Sequence, residues 1–178
     1  MQPQVSDLEL LRRARRGDGR AFHALVDRYA RPMYGLAYSL LNNAADAEDV
    51  VQETFAGAYK ALSKFEERSS VKTWLSRILV NQVAMFRRDR RGNDVRAPQG
   101  RALDDVEALK PSVDERLDLQ AVLEQLGDVH REVLVLRELQ QLSYEEIADV
   151  LGVPRGTVES RLHRARAELR KKLGDYLE

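Results

Sequence analysis

The sequence has no cysteine among its 178 residues, and histidine, proline and tryptophan are scarce, at three, five and one residue respectively. The absence of cysteine excludes disulfide bonds and thiolate metal sites, and it suits a reducing compartment. No apolar run reaches the length that spans a membrane, and the N-terminus lacks the apolar core of a signal peptide. No stretch shows the sustained alternation that indicates a β-strand. We therefore expect an all-α, cytoplasmic protein that does not insert into a membrane.

Charge is balanced over the whole chain but is unevenly distributed along it. Lys and Arg together number 29, as do Asp and Glu, so the net charge indicates no particular partner. Residues 92–115, however, are mostly acidic, lose all helical periodicity and contain two prolines and two glycines. Such a composition is typical of a flexible linker. We therefore expect two small helical domains, residues 1–91 and 116–178, joined by a flexible acidic linker, residues 92–115.

The strongest motif lies in residues 143–173. Ser143 followed by Glu146 is a capping box that starts a short helix, and Gly152 suits the left-handed residue that ends one. Pro154 then suits the first turn of a second helix, in which apolar residues recur at helical spacing. This succession of helix, glycine turn and second helix predicts a helix-turn-helix in the C-terminal domain.

The second helix of this motif has a polar face opposite its apolar stripe. That face combines small residues, which permit close approach to DNA, with side chains that reach base edges or phosphates in a major groove. Seven basic residues and only two acidic ones lie between residues 154 and 173. The alternative is an ordinary solvated helix that is rich in arginine. The candidate DNA-contacting residues are Arg155, Thr157, Glu159, Ser160, His163, Arg164 and Lys171.

Residues 46–62 form a helical pattern with an apolar face and an acidic face. Asp46, Asp49 and Glu53 follow one another at i, i+3 and i+7, so they form a ridge along one side of the helix. Three interpretations fit this ridge: a solvated face whose acids favour the helix N-terminus, a carboxylate metal site, or a docking surface for a basic partner. The three histidines are far apart in the chain, and none falls in register with the ridge.

Another helix is predicted from about Val71 to Arg90. Its apolar stripe contains Trp74, and its opposite face is expected to expose polar and basic side chains. Aromatic and polar residues beside arginines suit single-stranded nucleic acid, because bases stack and phosphates meet guanidinium groups. Alternatively, Trp74 is part of the core and the basic end complements the helix dipole. The side chains expected on the outer face are Thr73, Ser76, Arg77, Asn81, Arg87 and Arg88.

Three of these stretches, taken in order, resemble one known family. They are DAEDVVQETF at residues 46–55, KTWLSRILVNQ at residues 72–82 and LSYEEIADVLGVPRGTVESRLHRARAEL at residues 142–169. The chain resembles the extracytoplasmic-function sigma factors of the sigma-70 family, which are dissociable subunits that give bacterial RNA polymerase its promoter specificity. The resemblance implies a sigma region 2 in the N-terminal domain and a sigma region 4 in the C-terminal domain, with no cofactor and no catalytic site.

The resemblance also implies a role for each group of candidate residues. The residues that would dock on the clamp helices of the largest polymerase subunit are Asp46, Asp49, Gln52 and Glu53. The residues that would capture the unwound non-template strand of the −10 element are Ser69, Ser70, Lys72, Thr73, Trp74, Arg77, Asn81, Arg87 and Arg88. The helix-turn-helix residues would read the −35 element as duplex. The implied partners are core RNA polymerase, through its clamp helices and flap region, promoter DNA and an anti-sigma factor.

Two features depart from the family's pattern. Members often have a glycine-containing loop where this chain has Glu-Glu-Arg at residues 66–68, and often a basic residue where it has Glu159. Glu159 could accept a hydrogen bond from a cytosine amino group or repel a phosphate. Two alternatives to a sigma factor stay open on the residues alone. One is a helix-turn-helix regulator that acts on duplex DNA without polymerase, and the other is a metal-dependent enzyme that uses the carboxylate ridge.

Overall fold

The structure, a computed structural model, describes residues 5–93 and 120–177, and every regular element in those ranges is helical. This confirms the all-α prediction. None of these helices is both long and apolar enough to cross a membrane. The N-terminal module contains α1 (Asp7–Arg15), α2 (Gly19–Leu41), α3 (Ala44–Ala61), a 3-10 turn (Leu62–Lys64) and α4 (Val71–Asn93). The C-terminal module contains a helical segment at residues 120–124, α5 (Asp128–Glu138), α6 (Tyr144–Leu151) and α7 (Arg155–Leu177).

The predicted linker, residues 92–115, lies outside the described residues from residue 94 onward. Its first two residues continue α4, which ends at Asn93. The helix therefore extends slightly beyond the Arg90 end that the sequence predicts.

Side-chain caps fix the ends of the N-terminal helices. Asp18 accepts hydrogen bonds from the backbone amides of Arg20 and Ala21 at the start of α2. Asn42 ends α2 in the left-handed region with φ of 50°, and Asn43 then caps α3. Because these two asparagines stop one helix and start the next within two residues, α2 and α3 pack against each other as close neighbours.

The predicted helix-turn-helix is present and has the predicted chemistry. The Glu146 amide donates to Ser143 Oγ at 3.1 Å, and the Ser143 amide donates to Glu146 Oε2 at 2.9 Å, which completes the capping box. Gly152 ends α6 with φ of +64°, and α7 begins at Arg155. The apolar stripe of α7 is buried at Val158, Leu162 and Ala165.

The two modules share one hydrophobic core, which the sequence did not predict. α4 packs against α6, and α2 packs against α5, so buried side chains from both modules form a continuous cluster. Polar contacts reinforce this junction at the C-terminal half of α2. Gln140 Nε2 donates to the carbonyl of Pro32 at 3.0 Å, and Arg131 donates to the carbonyl of Leu40 at 3.2 Å. The same Leu40 oxygen accepts from Arg87 of α4 at 2.7 Å within the N-terminal module.

The left-handed Gly152 yields a stability prediction. Added Cβ atoms at Gly152 and Gly156 would meet nothing within 4 Å, so any effect of substitution reflects backbone conformation. Gly152→Ala should lower the free energy of unfolding by about 1–2 kcal/mol, because φ of +64° is unfavourable for an L-residue. Gly156→Ala, which lies inside α7, is the matched control and should be neutral or stabilising by up to about 1 kcal/mol. Denaturant unfolding of both variants measures this, and equal effects would contradict it.

Candidate nucleic-acid interface

The exposed face of α7 carries most of the candidate duplex-reading residues. Ser160, His163 and Arg164 are exposed within the first three turns of the helix, and Lys171 is exposed two turns further on. Thr157 is half-buried, and its carbonyl accepts a hydrogen bond from Ser160 Oγ at 3.0 Å. The polar face of α7 is therefore open to a partner, whereas its apolar stripe is packed into the core.

Glu159, which departs from the family's pattern, is paired with an arginine. Arg155 Nε lies 2.9 Å from Glu159 Oε1, and Arg155 Nη1 lies 2.7 Å from Glu145 Oε1 on α6. The guanidinium thus joins the two helices of the helix-turn-helix at their exposed edge. Because Arg155 offsets its charge, Glu159 does not face an approaching phosphate as an isolated carboxylate.

Part of the predicted single-strand face of α4 is covered rather than exposed. Thr73 and Ser76 have no exposed surface, and Arg77 pairs with Asp149 of α6. Thr73 Oγ1 donates to Glu146 Oε1 at 2.7 Å. The expectation that Thr73 and Ser76 face solvent is therefore wrong, whereas Arg77 keeps 40% of its side chain exposed while it is paired with Asp149. Helical periodicity identifies the apolar stripe of α4, but it does not reveal that the polar face packs against a second module.

The covering contact links the caps of two helices. Ser70 Oγ accepts from the Thr73 amide at 3.0 Å at the start of α4 and lies 2.7 Å from Thr73 Oγ1. Since the Thr73 hydroxyl proton is used on Glu146, the Ser70 hydroxyl donates to Thr73. Burial pushes the pKa of the Glu146 carboxyl upward, but its hydrogen bonds with Ser143 and Thr73 lower the pKa overall. The N-termini of α4 and α6 are thereby joined through one carboxylate.

Not every polar atom in this contact has a partner. Ser76 Oγ and Arg77 Nε are both buried and have no hydrogen-bond partner in the described protein. An unsatisfied buried polar group costs about 1–3 kcal/mol. The contact between α4 and α6 therefore combines polar groups that stabilise it with polar groups that oppose it.

The other candidate single-strand residues differ in their accessibility. Trp74 is partly buried and packs on Phe65, with ring centroids 4.9 Å apart. Asn81 and Arg88 are exposed, Ser70 is exposed beside the cap, and Ser69 and Lys72 are half-buried. These positions leave a strip of polar surface along α4 that is outside the contact with α6.

Arg87 is occupied by contacts between the modules. Only 17% of its side chain is exposed, and it pairs with Asp128 at 3.2 Å and with Glu132 at 3.1 Å on α5. Burial raises the pKa of the Glu132 carboxyl, an effect that Arg87 opposes. In this arrangement Arg87 stabilises the junction and does not face an open surface.

The acidic ridge on α3 is open except at its first member. Asp49, Gln52 and Glu53 are exposed, whereas the Asp46 side chain is only 18% exposed and pairs with Arg90 of α4. Within residues 5–93 and 120–177, no three His, Asp or Glu side chains are grouped so as to hold a metal ion. The ridge thus presents two carboxylates and an amide to solvent.

Sequence reasoning missed the contacts of the loop that precedes α4. Glu67 in this loop has φ of +58°, and its carboxylate binds Arg12 of α1. The only signal in the sequence was the unusual Glu-Glu-Arg at residues 66–68. No motif connects that loop to α1, because the two partners are 55 residues apart.

Comparison with protein families and with known proteins gives one consistent result. The family model for sigma-70 region 2 matches residues 25–92, and the model for sigma-70 region 4 matches residues 116–169. The chain is 39% identical to the RNA polymerase sigma-H factor of Pseudomonas aeruginosa, over 99% of this chain and 98% of that protein. It is also 39% identical to the ECF RNA polymerase sigma-E factor of Escherichia coli K12, over 97% of each.

Two solved structures share the fold over most of the chain. CnrH in complex with the cytosolic domain of CnrY has a TM-score of 0.75 and 32% identity, and the match covers 96% of this chain and 99% of that one. The sigma factor RpoE in complex with the anti-sigma factor NepR from Bartonella quintana has a TM-score of 0.72 and 28% identity, and the match covers 86% of this chain and 96% of that one.

The ion pair between Arg77 and Asp149 makes the contact between the modules testable. Asp149→Lys places a like charge opposite Arg77 and should shift the equilibrium toward separated modules by about 1 kcal/mol, or roughly fivefold. Small-angle X-ray scattering should record a larger radius of gyration with unchanged helical content. Arg77→Glu combined with Asp149→Lys should restore the compact form. Glu145→Lys on the same helix is the control, because Glu145 contacts Arg155 instead, and an equal expansion in this control would contradict the prediction.

Proposed function

This chain belongs to the extracytoplasmic-function sigma factors of the sigma-70 family, and from that premise we propose how its surfaces divide the work of promoter recognition. As a sigma factor it directs the initiation of transcription. We assign it no catalytic site of its own, because phosphoryl transfer belongs to the polymerase. A helix-turn-helix regulator acting without polymerase would account for α7 but not for the region 2 match over residues 25–92.

The proposed roles are divided between the two modules. Residues 1–91 would act as region 2 and residues 116–178 as region 4, with residues 92–115 as the connection between them. The protein would work in the cytoplasm, where it meets core polymerase and DNA. The observation that carries the proposal is that one chain combines an open acidic surface on α3 with an open basic recognition face on α7.

The proposed polymerase-docking surface is the open part of the ridge on α3. Asp49, Gln52 and Glu53 are exposed on the side of the helix opposite its buried face. Two carboxylates and an amide at this spacing suit a basic helical partner such as the clamp helices of the largest subunit. Asp46 would contribute less, because its carboxylate is already paired with Arg90.

The proposed −10 surface comprises the loop at residues 66–70 and the adjoining part of α4. Trp74 supplies an aromatic ring, and Lys72, Asn81 and Arg88 supply polar or basic groups, a combination that suits an unwound strand. Thr73 and Arg77 could join them only after α4 separates from α6, since both now contact α6. We therefore propose that binding to core polymerase separates the two modules and completes this surface.

The proposed −35 surface is the exposed face of α7. His163 and Arg164 lie near its centre, and Thr157 and Ser160 lie one turn earlier, where small polar side chains permit close approach to a major groove. Arg155 and Glu159 would act together at the edge of this surface because they are paired.

An anti-sigma factor is the further partner that we propose. Two structures that resemble this chain are complexes, one of CnrH with the cytosolic domain of CnrY and one of RpoE with the anti-sigma factor NepR. A protein that stabilised the contact between α4 and α6 would keep part of the −10 surface covered. It would thereby hold the sigma factor inactive until released.

The docking proposal is tested by reversing charge on the ridge. Asp49→Lys combined with Glu53→Lys should change the free energy of unfolding by no more than about 0.5 kcal/mol, because both side chains are exposed. It should nevertheless abolish binding to core polymerase, since like charge at an interface costs several kcal/mol. Glu9→Lys with Asp27→Lys makes the same charge change at exposed acids of α1 and α2, and it serves as the control. Normal polymerase binding by the ridge variant would remove the docking role.

The −35 proposal is tested on α7. Arg164→Ala should weaken binding to a promoter with the preferred −35 sequence by about 1–3 kcal/mol, because a specific base contact is lost. Arg166→Ala is the matched control, since Arg166 is engaged by Glu138 of α5, to which it donates at 2.9 Å. Initiation by polymerase reconstituted with each variant on a −35 library measures the effect. The assignment fails if Arg164→Ala and the wild type rank the library identically.

A further inference from the structure

The loop that precedes α4 contains a residue in an unfavourable conformation. Glu67 has φ of +58°, in the left-handed region that glycine adopts freely and that other L-residues avoid. Glu66 and Arg68 on either side of it are exposed, and they pair with each other at 2.9 Å. These local contacts do not account for the backbone of Glu67, so its conformation has to be held from elsewhere.

Arg12 of α1 supplies that restraint. Arg12 Nε donates to Glu67 Oε1 at 3.0 Å and Arg12 Nη2 donates to Glu67 Oε2 at 2.6 Å, a two-point arrangement that fixes the carboxylate in direction as well as position. The hydrogen bond with Arg12 lowers the pKa of the Glu67 carboxyl and raises that of the guanidinium. Arg15 adds a second link, because its Nη1 donates to the carbonyl of Phe65 at 3.3 Å.

α1 is itself firmly attached, so it can hold the loop in place. Leu10 and Leu11 are buried against the core, and Asp7 accepts hydrogen bonds from both Arg28 and Tyr29 of α2. Arg13 also binds the Asp18 carboxylate that caps α2, with its Nε at 2.9 Å and its Nη2 at 2.7 Å. A helix fixed by apolar contacts and by two polar links provides a rigid support for Arg12.

The two ends of the loop are also fixed. Phe65 is buried and packs on Trp74, while Ser70 caps α4 through the Thr73 amide. Only residues 66–69 lie between these points, so the link from Glu67 to α1 determines the path of the loop. Arg15 and residues 63–67 also line an open cleft of about 560 Å³ beside it.

We propose that α1 positions the −10-reading loop, with Arg12 and, secondarily, Arg15 as positioning residues that set promoter discrimination without contacting DNA. This inference rests on the proposed role of the loop in −10 recognition. In this chain a glutamate stands where a glycine would take the left-handed conformation without help. Arg12 on α1 instead holds residue 67 in that conformation through the Glu67 carboxylate.

The inference is tested by removing the Arg12 side chain that holds Glu67 and then by giving residue 67 the backbone freedom of glycine. The variants are Arg12→Ala, Arg12→Ala with Glu67→Gly, and Arg12→Ala with Glu67→Ala. Arg16→Ala is the matched control on the same helix, because Arg16 lies near Glu9 and does not reach the loop. Each protein is assayed with core polymerase on one library of −10 variants and one of −35 variants, alongside melting temperature and polymerase affinity.

Arg12→Ala should reduce discrimination among −10 variants by at least about threefold, the scale of losing one exposed ion pair. Discrimination at −35, polymerase affinity and the melting temperature (within about 2 °C) should stay at wild-type values, since Arg12 is a surface residue. Adding Glu67→Gly should recover most of the −10 discrimination, whereas adding Glu67→Ala should not. A merely structural pair would not produce that difference between glycine and alanine.

The outcomes separate the inference from the function on which it rests. If the wild type directs no initiation, both fail. If the wild type initiates selectively but Arg12→Ala ranks the −10 library as the wild type does, only the inference is overturned. Equal behaviour of the glycine and alanine double variants would also overturn it. Should Arg12→Ala melt well below the wild type, Arg12→Lys replaces it in the same comparison, because lysine keeps the charge but loses the two-point geometry.

Discussion

The hydroxyl of Thr73 joins the N-termini of two helices from different modules, and beside the shared apolar core it is a polar link that holds α6 over the first turns of α4. Glu146 uses one carboxylate oxygen on the Ser143 amide of its own helix and the other on Thr73. Helix N-termini carry unpaired amides that need acceptors, so both caps would form even in separated modules. Their position side by side lets the Glu146 carboxylate accept from the Ser143 amide of its own cap and from the Thr73 hydroxyl of the other. About one turn further along each helix, Arg77 meets Asp149.

The junction affects the two proposed DNA surfaces differently. Thr73, which forms the junction, and Ser76 are fully buried in the closed form, whereas Ser160, His163 and Arg164 on α7 stay exposed. The reason lies in the helix-turn-helix itself: α6 makes the contact with α4, and the turn at Gly152 directs α7 away from it. The closed form therefore leaves the proposed −35 surface open while part of the proposed −10 surface is hidden, so under the proposed roles the two recognition steps need not become available together.

Helix caps and turns, which depend on residues a few positions apart, could be predicted from the sequence. Contacts between residues that are far apart in the chain could not. The Ser143 capping box and the left-handed Gly152 follow from residue types a few positions apart, and both are present. The burial of Thr73 depends on a helix 73 residues later, for which periodicity carries no signal. Glu67 was noticed only as a departure from a glycine-containing loop. Its partner Arg12 was missed, because an arginine on an amphipathic helix looks like any solvated charge.

The chain contains a single tryptophan, and it lies between the loop that precedes α4 and the junction with α6. Trp74 packs on Phe65 at the base of the loop, and its neighbour Thr73 forms the junction with α6. Its indole emission, which depends on nearby polarity and on stacking partners, therefore comes from one known location. The protein therefore carries an intrinsic fluorophore at this place, so the separation of α6 from α4, and base stacking on the proposed −10 surface, can be followed in real time without attaching a dye.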